Sequence, residues 1–171
     1  MKVFEAIRER YSVRGYQDRP VEDDKLERIM EAARLAPSAR NRQEWRYVVV
    51  RDEGRRQQLM AAANGREFVG RAPVIIAACS RDDHYMMGCK QPATQIDVAI
   101  SVEHIALQAV EEGLGTCWIG AFDSEAARRA IGAPDDVSVM LLMTLGYPDD
   151  PPRPKNRLPM EEVVMYDVWR D

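Results

Sequence analysis

The chain has 171 residues, 46% of them hydrophobic and 30% charged, with a net charge of −4, a balance that fits one globular domain over 1–171 and excludes a disordered or fibrous chain. A domain of this size buries a core without disulfides or metals. Its 24 basic residues, with Lys only at 2, 25, 90 and 155, are interspersed with 28 acids, so no basic face marks nucleic acid as a partner.

Phe4 and Ile7 stand at helical spacing among charges and predict a short amphipathic helix over 3–10. No apolar segment follows Met1, so a signal peptide is not expected. Leu26, Ile29, Met30, Ala33 and Leu35 predict a second helix over 23–35, stopped by Pro37. Residues 45–50, aromatic and β-branched, read as a strand, and Asp52 is placed to cap a helix over 53–63. The continuous apolar run 73–79 suits a strand covered on both faces. Residues 94–112 carry the strongest helical pattern, ended by Gly113 and Gly115. That helix is apolar most of the way round (Ile96, Val98, Ile100, Val102, Ile105, Leu107, Val110), as a helix buried in the core or partly against another subunit would be. Asp97, Glu103, His104 and Gln108 interrupt it, so no membrane span is expected. Residues 116–121 and 137–145 read as strands and 124–131 as a short helix. Five prolines between 148 and 159 make a loop with fixed bends, and the amphipathic stretch 160–169 is apolar enough to reach a partner chain. This order is no regular βαβ repeat, which gives an α+β fold with a central sheet wrapped by helices. Cys79 and Cys117 fall in apolar runs, no Cys-x-x-Cys pair exists, and free thiols suit a reducing cytoplasm.

Familiar catalytic signatures are missing: there is no Gly-x-Gly-x-x-Gly, P-loop, Gly-x-Ser-x-Gly or His pair on one helical face. His84 with Asp82, Asp83 and Cys89 matches no ligand spacing, so no metal is expected, and His104 reads as a core or interface histidine. The hard chemistry is then expected of a bound cofactor. Four segments bear on it. Arg10, Ser12 and Arg14 offer charge and a directional hydroxyl for a phosphate, although Arg at a helix end also favours the helix dipole. Residues 36–45 form a polar loop whose amides and hydroxyls suit a heterocycle's edge, or serve only as a capping loop. Gly120, at the end of a strand, permits close approach of backbone N–H groups to a ligand, and Trp118 is a wall for an aromatic ring or a core residue. Lys155 and Arg157 lie two residues apart in the Pro-braced loop, as a phosphate clamp or as solvated charge.

Taken in order, these segments resemble the FMN-dependent nitroreductase family over almost the whole chain. Arg10, Ser12 and Arg14 match its Arg-x-Ser-x-Arg/Lys element, and Ala36, Pro37, Ser38, Asn41, Gln43 and Trp45 match Ala-Pro-Ser-x-x-Asn-x-Gln-Pro-Trp. Residues 113–120 match Gly-Leu-Gly-x-x-Trp-Ile-Gly, and 145–148 with 155–164 match the closing Leu-Gly-Tyr-Pro and Lys-x-Arg-x-Pro-x-Glu-Glu-Val-Val. The resemblance implies a central mixed, mainly antiparallel sheet flanked by helices, with the C-terminal segment exchanged between the subunits of a homodimer. It implies that Arg10, Ser12, Lys155 and Arg157 hold the FMN phosphate and that Arg14 approaches the flavin's pyrimidine edge, where reduction places negative charge. Trp118, Ile119 and Gly120 would lie along the ring, while Pro37, Ser38 and Asn41 would come from the opposite subunit and Gln43 would join the cofactor contacts. No side chain need be a general acid or base. NAD(P)H and then a flat acceptor (a nitroaromatic, a quinone or similar) would use the same place in a ping-pong cycle.

Glu44 departs from the pattern, which has Pro there, and puts a carboxylate near the site where it would disfavour acidic acceptors. The segment 80–93 has no family match and is where acceptor preference is expected, with Tyr85, Met86 and Met87 as an adaptable wall or an ordinary surface loop. The competing readings are specialised reductive chemistry such as dehalogenation, and a flavin-binding protein with another electron donor.

Overall fold

A computed structural model describes residues 2–81 and 85–170. Helices α1 (Val3–Glu9) and α2 (Asp23–Arg34) precede strand β1 (Trp45–Val50). Then α3 (Glu53–Ala62) and α4 (Glu67–Arg71) lead to β2 (Val74–Arg81), and α5 (Ala93–Glu111) leads to β3 (Gly115–Ile119). After α6 (Ser124–Ile131) and β4 (Val137–Gly146), the chain ends in a loop and the single turn α7 (Met160–Val163). Local chemistry sets these bounds. Asp52 and Asp123 cap α3 and α6 by accepting from the N–H groups of Arg55 and Ala126, each at 2.9 Å. Gly132 closes α6 with a left-handed φ of 69°.

The strands lie in the order β1-β2-β4-β3, and every neighbouring pair is antiparallel. A parallel element enters only at the outer edge of β3, where Ser12 bridges Thr116. Alternation along β2 sends Val74, Ile76 and Ala78 into one core, with Leu26, Ile29 and Ala33 of α2 and Val98, Val102 and Ile105 of α5. Ile75, Ala77 and Cys79 enter the other, with Leu59, Val69 and Ala127 of α3, α4 and α6. The apolar run 73–79 is therefore covered on both faces. A register shift between Ala78 and Cys79 skips Met140, so Met140 and Leu141 both pack on the α5 side.

Residues 93, 94, 97, 98, 101, 102, 105, 106 and 109 form the buried stripe of α5. On its outer side Ile96 is 42% and Ile100 36% exposed, and α1, which packs on α5, leaves Val3, Phe4 and Ile7 exposed. α4 stands where no element was expected, because five residues are too few for a readable period. The segment 160–169 is one helical turn followed by irregular chain, with Val163, Tyr166, Val168 and Trp169 exposed. β3 stops at Ile119, so Gly120 and Ala121 lie beyond the strand that was expected to reach 121. Among the described residues, no helix is long and apolar enough to cross a membrane.

Candidate functional site

The loop leaving α1 builds the first half of the site. Ser12 runs beside β3, where the Val13 N–H donates to Thr116 O at 2.9 Å. Gly115 permits this approach, since a Cβ there would collide with Val13 Cγ2 and with Pro148 Cγ. The chain beyond β4 straps the loop in place. The Asp149 N–H donates to Gly15 O at 2.9 Å, and the Arg14 N–H to Asp150 Oδ2 at 3.1 Å. Tyr11 donates its hydroxyl hydrogen to Asp150 O at 2.7 Å. That strap continues to Lys155, whose ammonium donates to Arg8 O at the end of α1.

The electrostatics show what has converged here. Burial, then repulsion from Arg10, Arg157 and Arg8, holds the Lys155 ammonium below the usual lysine range against the attraction of Glu9. Burial pushes the Cys117 thiol of β3 up, opposed by Arg14, by a Ser12 hydrogen bond, and by Arg66 and Arg10. Arg10, Ser12, Arg14 and Arg66 thus act on Cys117 at the outer edge of β3, and Arg10 and Arg157 act on Lys155 at the end of α1. Arg10 meets one carboxylate, Glu103 of α5, at 4.0 Å. Among the described residues, no carboxylate lies within ion-pair distance of Arg14, Arg66, Lys155 or Arg157. Cations held together with so few counter-charges are a site for an anion. Arg66 lies in none of the four sequence segments. It precedes α4 in a stretch with no motif, and only the folded chain brings its charge to Cys117.

The edge of β3 offers backbone groups beside these cations. Thr116 turns its carbonyl toward Val13, so strand alternation turns the N–H and C=O of Trp118 to the same, open side. Gly120 follows with a φ outside the left-handed region, and a Cβ there would meet no atom within 4 Å. The fold therefore does not demand glycine at 120; it leaves space over the backbone. The Ile119 side chain is buried in the second core, so only its backbone is available to a ligand. Trp118 is half-buried on the α5 side, where it lines a cavity of about 710 Å³ with Met86, Thr94, Val98 and Met140. The Thr94 hydroxyl is buried with no hydrogen-bond partner among the described residues.

Pro37, Ser38, Asn41 and Gln43 stand elsewhere, on the loop between α2 and β1. A 3-10 turn spans Ala39–Asn41, with Arg40, Asn41 and Gln43 at φ of 53°, 56° and 54°. Left-handed backbone costs roughly 1–2 kcal/mol per non-glycine residue, and it persists only where the surroundings impose it. Here the Gln43 N–H donates to Ser38 Oγ at 3.0 Å, Gln43 Nε2 to Asn41 O at 3.1 Å, and Arg46 Nη1 to Gln43 O at 2.9 Å. The Ala39 N–H donates to both carboxylate oxygens of Asp97, each at 3.1 Å. Arg40 and Arg42 lie over the Tyr85 ring, 5.3 and 5.0 Å from its centroid. Glu44 pairs with Arg42 at 3.3 Å, so its charge does not face the site alone. The loop is anchored on α5 at Asp97, six residues before Glu103, which is about 9 Å along the axis and about 120° round it. The two halves of the candidate site therefore occupy different parts of one chain.

His104 Nδ1 lies 3.2 Å from Ala32 O, as a satisfied histidine would. The group of Asp82, Asp83 and His84 lies outside the described residues, and among those described no cluster of metal-binding side chains occurs.

The sequence profile of the nitroreductase family matches residues 7–66 and 54–147 of this chain. An NADH dehydrogenase of Thermus thermophilus is 33% identical, the match covering 96% of this chain and 94% of that one. Among solved structures, a nitroreductase family protein of Clostridium difficile 630 is 34% identical with a TM-score of 0.87, covering 99% of this chain and 100% of the other. An FMN-dependent nitroreductase of Clostridium difficile R20291 is 28% identical with a TM-score of 0.85, covering 97% and 99%.

Proposed function

We propose, from the premise that this chain belongs to the nitroreductase family, that it is an FMN-dependent oxidoreductase carrying electrons from NAD(P)H to a small flat acceptor such as a nitroaromatic or a quinone. The observation that carries this reading is the cation cluster of Arg10, Arg14, Arg66, Lys155 and Arg157 beside an open strand edge that ends at the uncrowded Gly120. FMN fits that set of groups. Its phosphate is a dianion and needs clustered cations, and its flat ring needs a bare strand edge with outward N–H groups.

In this reading Arg10, Ser12, Lys155 and Arg157 hold the phosphate, with Arg66 adding charge. Arg14, its backbone fixed by Asp150, sets a cation at the pyrimidine edge, where it favours the negative charge that reduction brings. The backbone at Trp118–Gly120 lies along the ring, and FMN when bound supplies the electron-transfer chemistry. No protein side chain needs to relay a proton. The chain's task is to place donor and then acceptor on one face, which makes the cycle ping-pong. The cavity beside Trp118, with the unpartnered Thr94 hydroxyl in its wall, is the acceptor's seat.

Pro37, Ser38, Asn41 and Gln43 complete the flavin site of a second copy of the chain. The apolar outer faces of α1 and α5 supply the contact for such a homodimer, since Phe4, Ile7, Ile96 and Ile100 are otherwise left in water. The exposed tail from Val163 to Trp169 then crosses to the partner. The free edge of β1, where Leu26, Val48 and Ile131 line an apolar groove, is its matching surface.

An anaerobic absorbance spectrum of the purified protein, before and after NADH and then NADPH, tests the reading. Flavin bands near one per chain that bleach with either donor are expected. A colourless protein that refuses added FMN overturns it.

A further inference from the structure

Asp97 is 4% exposed, and it is the one carboxylate on the buried stripe of α5. Burying a carboxylate is costly unless it is satisfied by donors, and the donor it has is the N–H of Ala39, held by both oxygens. That N–H sits between Ser38 and Arg40, at the point where the loop turns into its left-handed run. Between Ser38 and Gln43 the loop also closes on itself and on the start of β1. Asp97 ties it to α5, and Arg40 and Arg42 lie over the Tyr85 ring. The anchoring helix is also the one whose outer face carries Ile96 and Ile100, so the clamp joins loop and candidate dimer face in one rigid piece.

We propose that Asp97 is a positioning residue for the flavin site: its buried carboxylate fixes the Ala39 N–H and thereby sets Ser38 and Asn41 in the conformation that meets the partner subunit's cofactor. This rests on the two-subunit flavin site proposed above. An aliphatic side chain would pack into the helix–sheet core more cheaply than a carboxylate, so packing alone gives no reason for Asp at this position. The left-handed residues give one, because a loop of Arg, Asn and Gln does not stay in that conformation unaided.

The test uses the full-length apo dimer of the wild type, Asp97→Asn, Asp97→Ala and the double variant Arg40→Gly/Asp97→Ala. FMN affinity is read by quenching of flavin fluorescence, and protection of the Ala39 amide by hydrogen exchange without flavin. Asp97→Ala should weaken FMN binding about tenfold or more, the scale of one lost charge-assisted hydrogen bond, and should deprotect Ala39. Asp97→Asn keeps one acceptor oxygen and should fall between. Arg40→Gly should restore part of the affinity lost in Asp97→Ala, because glycine holds a left-handed φ without a clamp. A purely structural aspartate would lower the melting temperature without such rescue. A folded Asp97→Ala dimer with wild-type FMN affinity overturns the proposal. If that variant gives no dimer, a wild-type Ala39 amide exchanging at an open-loop rate overturns it instead. If the wild type itself binds no FMN, the functional reading falls, and Ala39 protection still reports on the clamp.

Discussion

Two glycines in the same stretch answer to different constraints. Gly115 is imposed by the fold, since Val13 and Pro148 fill the place of its Cβ. Gly120 has open space there, and in the proposed site that space takes the flavin. Gly120→Ala should therefore leave the apo protein as stable or raise it by about 0.4–1 kcal/mol, through a less flexible unfolded chain, while weakening FMN binding. Thermal melts beside a flavin titration would show opposite signs, and unchanged affinity would remove Gly120 from the ring's path. Lys155 makes a second residue-scale case. Its ammonium is held low by burial and by Arg10, Arg157 and Arg8, and a bound phosphate would reverse that repulsion and raise it. FMN affinity should hold while the free lysine is charged, then fall as pH rises through its lowered range toward that of the bound form. Riboflavin, without a phosphate, should show no such fall, and Lys155→Ala should cost FMN far more than riboflavin. The residues the proposed site draws on are legible in part because Arg10, Ser12 and Arg14 stand close in sequence, as do Lys155 and Arg157. Arg66 and Asp97 are not: neither sits in a local pattern, and the role proposed for each comes from a residue distant in sequence, Cys117 for Arg66 and Ala39 for Asp97. The left-handed run was hidden as well, because Arg40 and Gln43 are not residues that announce positive φ.

At the scale of elements, the helix 93–111 shows why a pattern can be read correctly and still leave the fold open. Its apolar residues go round most of the axis, and the structure uses one stripe for the sheet while leaving Ile96 and Ile100 outside. Period alone says how much of a helix wants burial, not which neighbour provides it. The four strands were legible for a related reason. Runs such as 45–50 and 74–79 are long and β-branched, so their bounds shift by only a residue or two. α4 was not, since five residues carry little more than one turn. The exposed stripe yields its own expectation. Ile100→Asp puts a charge into the surface that α1 and α5 share, without touching the stripe that holds the sheet. Sedimentation should show the dimer giving way to monomer, with flavin lost alongside and the secondary structure kept. A dimer that survives this substitution places the interface elsewhere.

For the molecule as a whole, the proposed function makes two chains contribute to each site, and that can be tested directly. The cations at the end of α1 and the loop at 37–43 attach to α5 on different sides of the helix. In the two-subunit site proposed above, a flavin held by the first group in one chain is reached by the loop of another, and a twofold axis gives two equal sites. This arrangement predicts complementation between broken chains. One variant carries Ser38→Ala with Asn41→Ala, and the other carries Arg10→Ala with Lys155→Ala. Each homodimer has both sites damaged and should bind FMN poorly. A heterodimer combines the intact cations of the first chain with the intact loop of the second, so one of its two sites is whole. Random pairing would give about a quarter of all sites intact, given symmetric dimers. Differently tagged chains, co-expressed and purified through both tags, would raise that to one site per dimer. Were the site built within one chain, every chain in the mixture would still carry its own defect, and the doubly tagged dimer would bind no better than either parent. Flavin stoichiometry near one per heterodimer, against almost none in the parents, is the outcome that a shared site requires, and it does not depend on which acceptor the enzyme reduces.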